Sequence, residues 1–424
     1  MQELTSKASS TRAIAIGIDT QTTNQISCKE SLLELSELGK TAGLNVIHII
    51  SQQRRTPARN TYVGKGKLSE IKDYININGI TCVLTDDELT PSQSKEMEKV
   101  LQVKIIDRTG LILEIFSQRA QTYEAKLQVE LAQLTYLLPR LTRLWTHLSR
   151  LGGGIGTKGP GETQLETDKR QIGKRISHLK GKLKKVQKDR HLRRKKRNDL
   201  PVLAGAIVGY TNAGKSTLMN RLTASHVLAE NALFATLDPI SRQFKTQASS
   251  ELVLTDTVGF IQKLPTHLIK AFYSTLEEVS EADFLIHVVD ASHPSFMNFV
   301  QTSKDIINSL DASDKPLLYV FNKWDKVSKP NAVNALIKEF QPHICISATQ
   351  DENLELFYNS LDELLAPFCK TKTVFIPYTR MDIVNLFHKF GHVEHLEYTD
   401  KIQLTVTINE LIAEKIIASL YKKH

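Results

Sequence analysis

The stretch Gly209-Tyr210-Thr211-Asn212-Ala213-Gly214-Lys215-Ser216 constrains the fold of this chain more than any other eight residues in it. It follows the apolar run Val202-Leu203-Ala204-Gly205-Ala206-Ile207-Val208 and leads into the helix-prone Thr217-Leu218-Met219-Asn220-Arg221-Leu222, so it reads as a loop joining a buried strand to a helix. Glycines at both ends let backbone N–H groups close around phosphate oxygens. Lys215 adds a point charge there, and the Ser216 hydroxyl can enter a magnesium shell.

Two further motifs follow in order. Asp256-Thr257-Val258-Gly259 ends the short apolar run Glu251-Leu252-Val253-Leu254-Thr255, where a carboxylate can hold magnesium through water and the Gly259 N–H can meet a terminal phosphate. Asn322-Lys323-Trp324-Asp325 follows the run Pro316-Leu317-Leu318-Tyr319-Val320-Phe321 and places a carboxylate that can accept from both the N1–H and the 2-amino group of guanine. Adenine has no such donor pair. The three motifs together imply a P-loop GTPase that hydrolyses GTP with Mg2+. Such a site also needs a threonine on a loop between the first two motifs, to close the magnesium shell when the terminal phosphate is present. Thr236, within Phe234-Ala235-Thr236-Leu237-Asp238, is preferred to Thr223 and Thr246. Lys215, Thr236 and Gly259 are therefore the expected catalytic groups, with Ser216 and Thr236 on the metal. Ser347-Ala348-Thr349, after the strand His343-Ile344-Cys345-Ile346, is expected to put backbone groups against the guanine carbonyl, although many GTPases carry lysine where Thr349 stands. Phe260 occupies the position where Ras-like switches place a water-orienting glutamine. Slow intrinsic hydrolysis and a partner that positions the water follow from that residue.

At 424 residues, with 41% apolar and 24% charged residues, the chain has the composition of a soluble protein of several domains. Cys28, Cys82, Cys345 and Cys369 are scattered without paired spacing, which argues for a reducing compartment and against a zinc site. The apolar runs are too short to span a bilayer, so a cytoplasmic protein with no membrane span is expected. Net charge is +9, but fifteen Lys or Arg against the single acid Asp189 between residues 169 and 197 give that segment +14 and leave −5 elsewhere. Such density points to a phosphate backbone as partner.

Short apolar runs alternate with amphipathic stretches through residues 1–112, implying a small parallel α/β subdomain. Its Gly64-Lys65-Gly66-Lys67 turn could hold a phosphate, but reads better as a plain helix entry. Over residues 113–198, Leu127, Leu131, Leu134, Leu138, Leu141, Trp145 and Leu148 recur at alternate spacings of four and three, as do Ile172, Ile176, Leu179, Leu183 and Val186. This predicts a basic antiparallel helical hairpin with a glycine-rich tip at residues 152–161 and a kink at Pro139. The GTPase domain, an α/β fold with a mixed, mostly parallel sheet, is expected over residues 199–368. A small α+β domain over 369–424 is expected to have strands near 373–376 and 402–406 and helices near 381–390 and 409–421.

The segment Gly159-Pro160-Gly161-Glu162-Thr163-Gln164-Leu165-Glu166-Thr167-Asp168, with Tyr62-Val63-Gly64-Lys65-Gly66-Lys67 and residues 256–261, resembles the HflX family of ribosome-associated GTPases over residues 13–420. The resemblance implies that the GTP form binds the large ribosomal subunit and its RNA, separates stalled or idle ribosomes into subunits, and is stimulated by ribosomes. It implies a glycine-rich tip that reaches toward the peptidyl-transferase region. ATP binding by the N-terminal domain and RNA unwinding also come with the family, and the residues here neither support nor exclude them. A role in large-subunit assembly stays open beside ribosome splitting, and a monomer is expected.

Overall fold

The computed structural model describes residues 11–20, 27–143, 160–198, 202–223, 233–245, 251–263 and 273–421. The chain divides into two units. The first holds Met1–Lys185, Ala232–Phe234 and Gln262–Phe272, and the second holds Val186–Asn231, Ala235–Ile261 and Tyr273–His424.

The first unit alternates β1 (Thr11–Asp19), α1 (Cys28–Thr41), β2 (Leu44–Gln53), α2 (Lys65–Asn78), β3 (Cys82–Thr85), α3 (Pro91–Leu101) and β4 (Lys104–Asp107). Its four strands pair in parallel in the order β2-β1-β3-β4, the subdomain that the alternating pattern predicts. Helix starts are written locally. Ser27 and Glu30 form a reciprocal capping box on α1, and Thr90 and Gln93 form another on α3, where Pro91 fills the first helical turn. Gly64 caps α2 from an extended backbone and gives its N–H to Gln52 Oε1 at 2.8 Å, so the expected helix entry is what forms.

A charged network follows β3. Buried Arg108 donates to Asp86 Oδ1 at 2.6 Å and to Glu34 Oε2 at 2.7 Å, Ser31 Oγ donates to Asp86 Oδ2 at 2.8 Å, and Lys263 pairs with Asp86 and with Asp87. Burial pushes the Asp86 carboxyl up, but Arg108 and Lys263 outweigh it and hold the group below the ordinary range.

Beyond β4 the chain becomes helical, with α4 (Arg108–Arg119), α5 (Tyr123–Leu137) and α6 (Pro160–Asn198), the last of which runs from the first unit into the second. Arg175 on α6 grips Glu130 on α5 with two bonds, Nε to Oε1 at 2.7 Å and Nη2 to Oε2 at 3.0 Å. Two details differ from expectation. Near Pro139 the first arm changes type instead of bending within one α-helix: α5 ends at Leu137 and a 3-10 turn, Leu138–Arg143, takes over, because proline offers no N–H and crowds the carbonyl four residues back. The second arm starts earlier, since Pro160 and Gly161 are its first residues rather than part of the tip. Residues 152–159, with Trp145 and Leu148, lie outside the described residues.

The second unit contains β5 (Leu203–Gly209), α7 (Lys215–Thr223), β6 (Ile240–Lys245), β7 (Glu251–Asp256), α8 (Tyr273–Glu281), β8 (Phe284–Asp290), α9 (Phe296–Ser309), β9 (Leu317–Asn322), α10 (Pro330–Ile337), β10 (His343–Cys345) and α11 (Leu354–Leu365). The sheet runs β10-β9-β8-β5-β7-β6 and is parallel except for β6, as the mixed, mostly parallel expectation requires. Ile207, Leu254, Phe284, Ile286, Leu318 and Val320 fill its core. The remaining elements are β11 (Cys369–Ile376), α12 (Met381–Phe390), β12 (His392–Tyr398), β13 (Ile402–Asn409) and α13 (Glu410–Tyr421), with an antiparallel sheet β11-β13-β12. β12 is absent from the sequence expectation. It is an edge strand whose residues are exposed or half-buried throughout, so no apolar alternation marks it.

Candidate nucleotide site

β5 delivers the phosphate loop between two neighbouring strands, β7 and β8. Gly209 has φ of 144°, and a Cβ there would stand 2.1 Å from the Val288 carbonyl oxygen, so only glycine fits. Tyr210, Thr211, Asn212, Ala213 and Gly214 form the loop, and Lys215 opens α7. The Lys215 ammonium is buried and donates to the carbonyls of Gly209 at 3.1 Å and Tyr210 at 2.9 Å. Burial lowers its pKa to about 8 against the opposing pull of Asp256. The side chain is thus held by the loop's own carbonyls and needs an anion to compensate its charge.

Ser216, Thr236 and Asp256 converge. Ser216 Oγ donates to Asp256 Oδ2 at 2.6 Å and lies 2.9 Å from Thr236 Oγ1, which is itself 3.2 Å from the same carboxylate oxygen. Asp256 is fully buried, and its other oxygen, Oδ1, has no hydrogen-bond partner. Burial raises its pKa, with Lys215 and the two hydroxyls pulling the other way. Two hydroxyls and a carboxylate, one of whose oxygens is a buried orphan, are an all-oxygen set that suits a hard dication such as Mg2+. Of the three threonines weighed from sequence, Thr236 is the one brought here. Thr223 bonds back to the Met219 carbonyl within α7, and Thr246 lies outside the described residues.

Asp256, Thr257, Val258 and Gly259 carry the chain across the phosphate loop. A Cβ on Gly259 would meet Thr211 Cγ2 at 2.8 Å and Lys215 Nζ at 3.0 Å, so this close approach also demands glycine. Phe260 then pairs with the loop: its N–H donates to the Gly209 carbonyl at 3.0 Å, and its carbonyl accepts from the Thr211 N–H at 2.8 Å. Its side chain is buried and offers nothing polar. Ala235 and Leu237 flank Thr236, with Leu237 buried, and Asp238 follows. Phe234, at φ of 57°, stacks edge-to-face on Phe116 in the first unit. Thr217 is half-buried in the first turn of α7.

At the other end of the site, Asn322 ties three pieces together. Its Nδ2 donates to the Ala213 carbonyl at 2.9 Å, and its Oδ1 accepts from the Ala348 N–H at 3.0 Å. Lys323 takes a left-handed backbone, the Trp324 N–H is bonded to the Ile346 carbonyl, and Asp325 is exposed and takes part in no ion pair or hydrogen bond among the described residues. Ser347 Oγ and Thr349 Oγ1 lie 3.2 Å apart beside it. Two contributors escape the sequence motifs. Asp290, the register partner of Asn322 on β8, holds Lys323 Nζ at 2.6 Å, and Arg221 reaches the carbonyls of Ala348 and Thr349. A carboxylate ending a strand beside the base motif marks Asp290 only once strand order is known, and nothing in the sequence marks Arg221.

Residues 29–117 match the family described as GTP-binding GTPase N-terminal, 119–197 the GTP-binding GTPase middle region, and 204–323 the 50S ribosome-binding GTPase. The chain is 42% identical to GTPase HflX of Caldanaerobacter subterraneus subsp. tengcongensis, over 92% of this chain and 91% of that one. It is 42% identical to GTPase HflX of Lacrimispora saccharolytica, over 96% and 95%, and 40% identical to GTPase HflX of Escherichia coli K12, over 86% of each. A GTP-binding protein from Sulfolobus solfataricus in complex with GDP superposes over 83% of this chain and 98% of that one, at 27% identity and a TM-score of 0.44, too loosely to bear on the site. With the phosphate loop and guanine motif in place and relatives matched nearly end to end, the chain belongs to the HflX family of P-loop GTPases.

Proposed function

We propose that this GTPase, in its GTP form, docks α6 and the glycine-rich segment 152–161 on the large ribosomal subunit and splits stalled or idle ribosomes into subunits. Hydrolysis, stimulated by the ribosome, then drives release. The observation that carries the reading is α6 itself, a helix of 39 residues that includes the whole +14 segment. A segment of that charge is suited to binding RNA phosphates. In the sequence it precedes a nucleotide domain whose family is described as 50S ribosome-binding.

Within the site, Lys215 and the N–H groups of the loop hold the phosphates, and the Gly259 N–H reports the terminal one. Ser216 and Thr236 are the residues that would ligate Mg2+, with Asp256 holding it through water, and the ion would neutralise charge on the phosphate oxygens. Asp325 reads the N1–H and 2-amino edge of guanine. Phe260 has no polar side chain with which to orient water, so the ribosome supplies that function. We also propose that the protein acts as a monomer in the cytoplasm; no described helix is long and apolar enough to cross a membrane.

Sedimentation of intact ribosomes with the protein and GTP, a non-hydrolysable analogue or GDP tests the proposal. Ribosomes should fall apart with GTP and the analogue, and persist with GDP. Binding of free large subunits with intact ribosomes untouched would instead favour a role in subunit assembly.

A further inference from the structure

Arg221 lies on α7, the helix that starts at the phosphate loop, yet its side chain serves the base end of the site. Its Nε donates to the Ala348 carbonyl at 3.3 Å and lies 3.2 Å from Asp351 Oδ1, while Nη2 donates to the Thr349 carbonyl at 3.4 Å. In a trans peptide the N–H points away from the C=O, so holding the Ala348 carbonyl fixes the direction of the Thr349 N–H. The neighbouring donors are already committed: the Ala348 N–H goes to Asn322 Oδ1 and the Gln350 N–H to Ser347 Oγ at 3.3 Å. Thr349 N–H has no acceptor among the described residues. A guanidinium on the carbonyl also polarises the peptide and strengthens its N–H as a donor.

We propose that Arg221 is a positioning residue for recognition of the guanine carbonyl, acting through the Ala348-Thr349 peptide. The inference rests on the reading of residues 347–349 as the loop that meets that carbonyl. It explains how the loop keeps its aim with threonine at position 349: the clamp comes from α7, whose first residue holds phosphate. Phosphate and base ends of the site are thereby referred to one rigid helix.

The test compares GDP with 6-thio-GDP, which keeps N1–H and the 2-amino group but offers a sulfur, a poorer acceptor, at the carbonyl position. Dissociation constants are measured on the full chain for wild type, Arg221→Ala and Arg221→Lys, each checked for an unchanged melting transition. Wild type should prefer GDP by about tenfold, the worth of one neutral hydrogen bond at the upper end of its range. In Arg221→Ala the GDP affinity should fall while that of 6-thio-GDP barely moves, bringing the preference below about twofold. Arg221→Lys, which keeps the charge but cannot span two carbonyls, should show most of the same collapse, and it carries the test if Arg221→Ala does not fold. An equal loss for both nucleotides, or no loss, would overturn the role of Arg221. Equal affinity of wild type for both nucleotides would overturn the reading of the loop itself.

Discussion

In the proposed reading the two oxygens of Asp325 decide the base, because guanine is the purine that offers N1–H and an adjacent amino group together. Asp325→Asn leaves one acceptor and presents an amide donor toward the 2-amino group. GTP affinity should fall about 10- to 100-fold, the loss of a charge-assisted hydrogen bond and the mispairing of its neighbour. Xanthosine triphosphate, with a carbonyl at that position, should gain on GTP; competition binding with both nucleotides checks it. His287 makes a different prediction at the same scale. It is buried in β8 with its ring centroid 5.4 Å from that of Tyr319, and burial, with help from Lys304 and Lys215, lowers its pKa to about 3. The native histidine is therefore neutral where the unfolded one, with a pKa near 6.5, takes up a proton. Stability is fully present above pH 6.5 and is lost as pH falls toward 3, by about 1.4 kcal/mol per unit. Urea unfolding should show about 2 kcal/mol less stability at pH 5 than at pH 7.5 from this group, a difference that His287→Gln should erase.

At the level of elements, α6 presents Lys180, Lys184 and Lys188 exposed at successive i, i+4 positions, one stripe along one face. Replacing all three with alanine should weaken binding to large subunits and reduce the slope of log affinity against log salt by about 2–3, at 0.7 to 0.9 per phosphate contact. Filter binding across a salt series reads that slope, and an unchanged slope would remove the stripe from the interface. The turn after β3 is the counterpart inside the first unit. Asp86→Ala would leave the Arg108 guanidinium, 1% exposed, with Glu34 as its remaining carboxylate, and should destabilise that unit by about 3–5 kcal/mol in a denaturant titration. Buried strands with one uniform pattern were legible before the structure: β5, β7 and β9 are continuous apolar runs. β12 was not, because an edge strand exposed to water has no pattern to betray it. The arms of the helical pair were legible in period but not in length, since Pro139 and Pro160 mark a change of helix type and a start that heptad counting passes over. In the site, motif residues announced themselves, whereas Asp290 and Arg221 act across strand order and helix packing, which are tertiary facts.

On the scale of the whole molecule, the order of motifs along the chain matches the order of β5, β7 and β9 in the second unit, and the charge distribution is what nominates α6 as the part proposed to face RNA. What the parts do together depends on Phe260. Its backbone is zipped to the phosphate loop through Gly209 and Thr211, and its side chain is buried, so no protein oxygen or nitrogen from that position reaches a water beside the terminal phosphate. Removing a group that orients the nucleophile raises the barrier while leaving nucleotide binding intact. The isolated protein should therefore bind GTP well and hydrolyse it slowly, and large subunits should raise the turnover at least about tenfold, a barrier change of 1.4 kcal/mol or more. Because the stimulation requires docking, the Lys180, Lys184 and Lys188 triple variant should need higher subunit concentrations to reach the same maximal rate. Phosphate release measured against subunit concentration separates these two effects. Rapid hydrolysis by the protein alone, insensitive to added subunits, would mean that the site orients its own water and that ribosome contact is not its trigger.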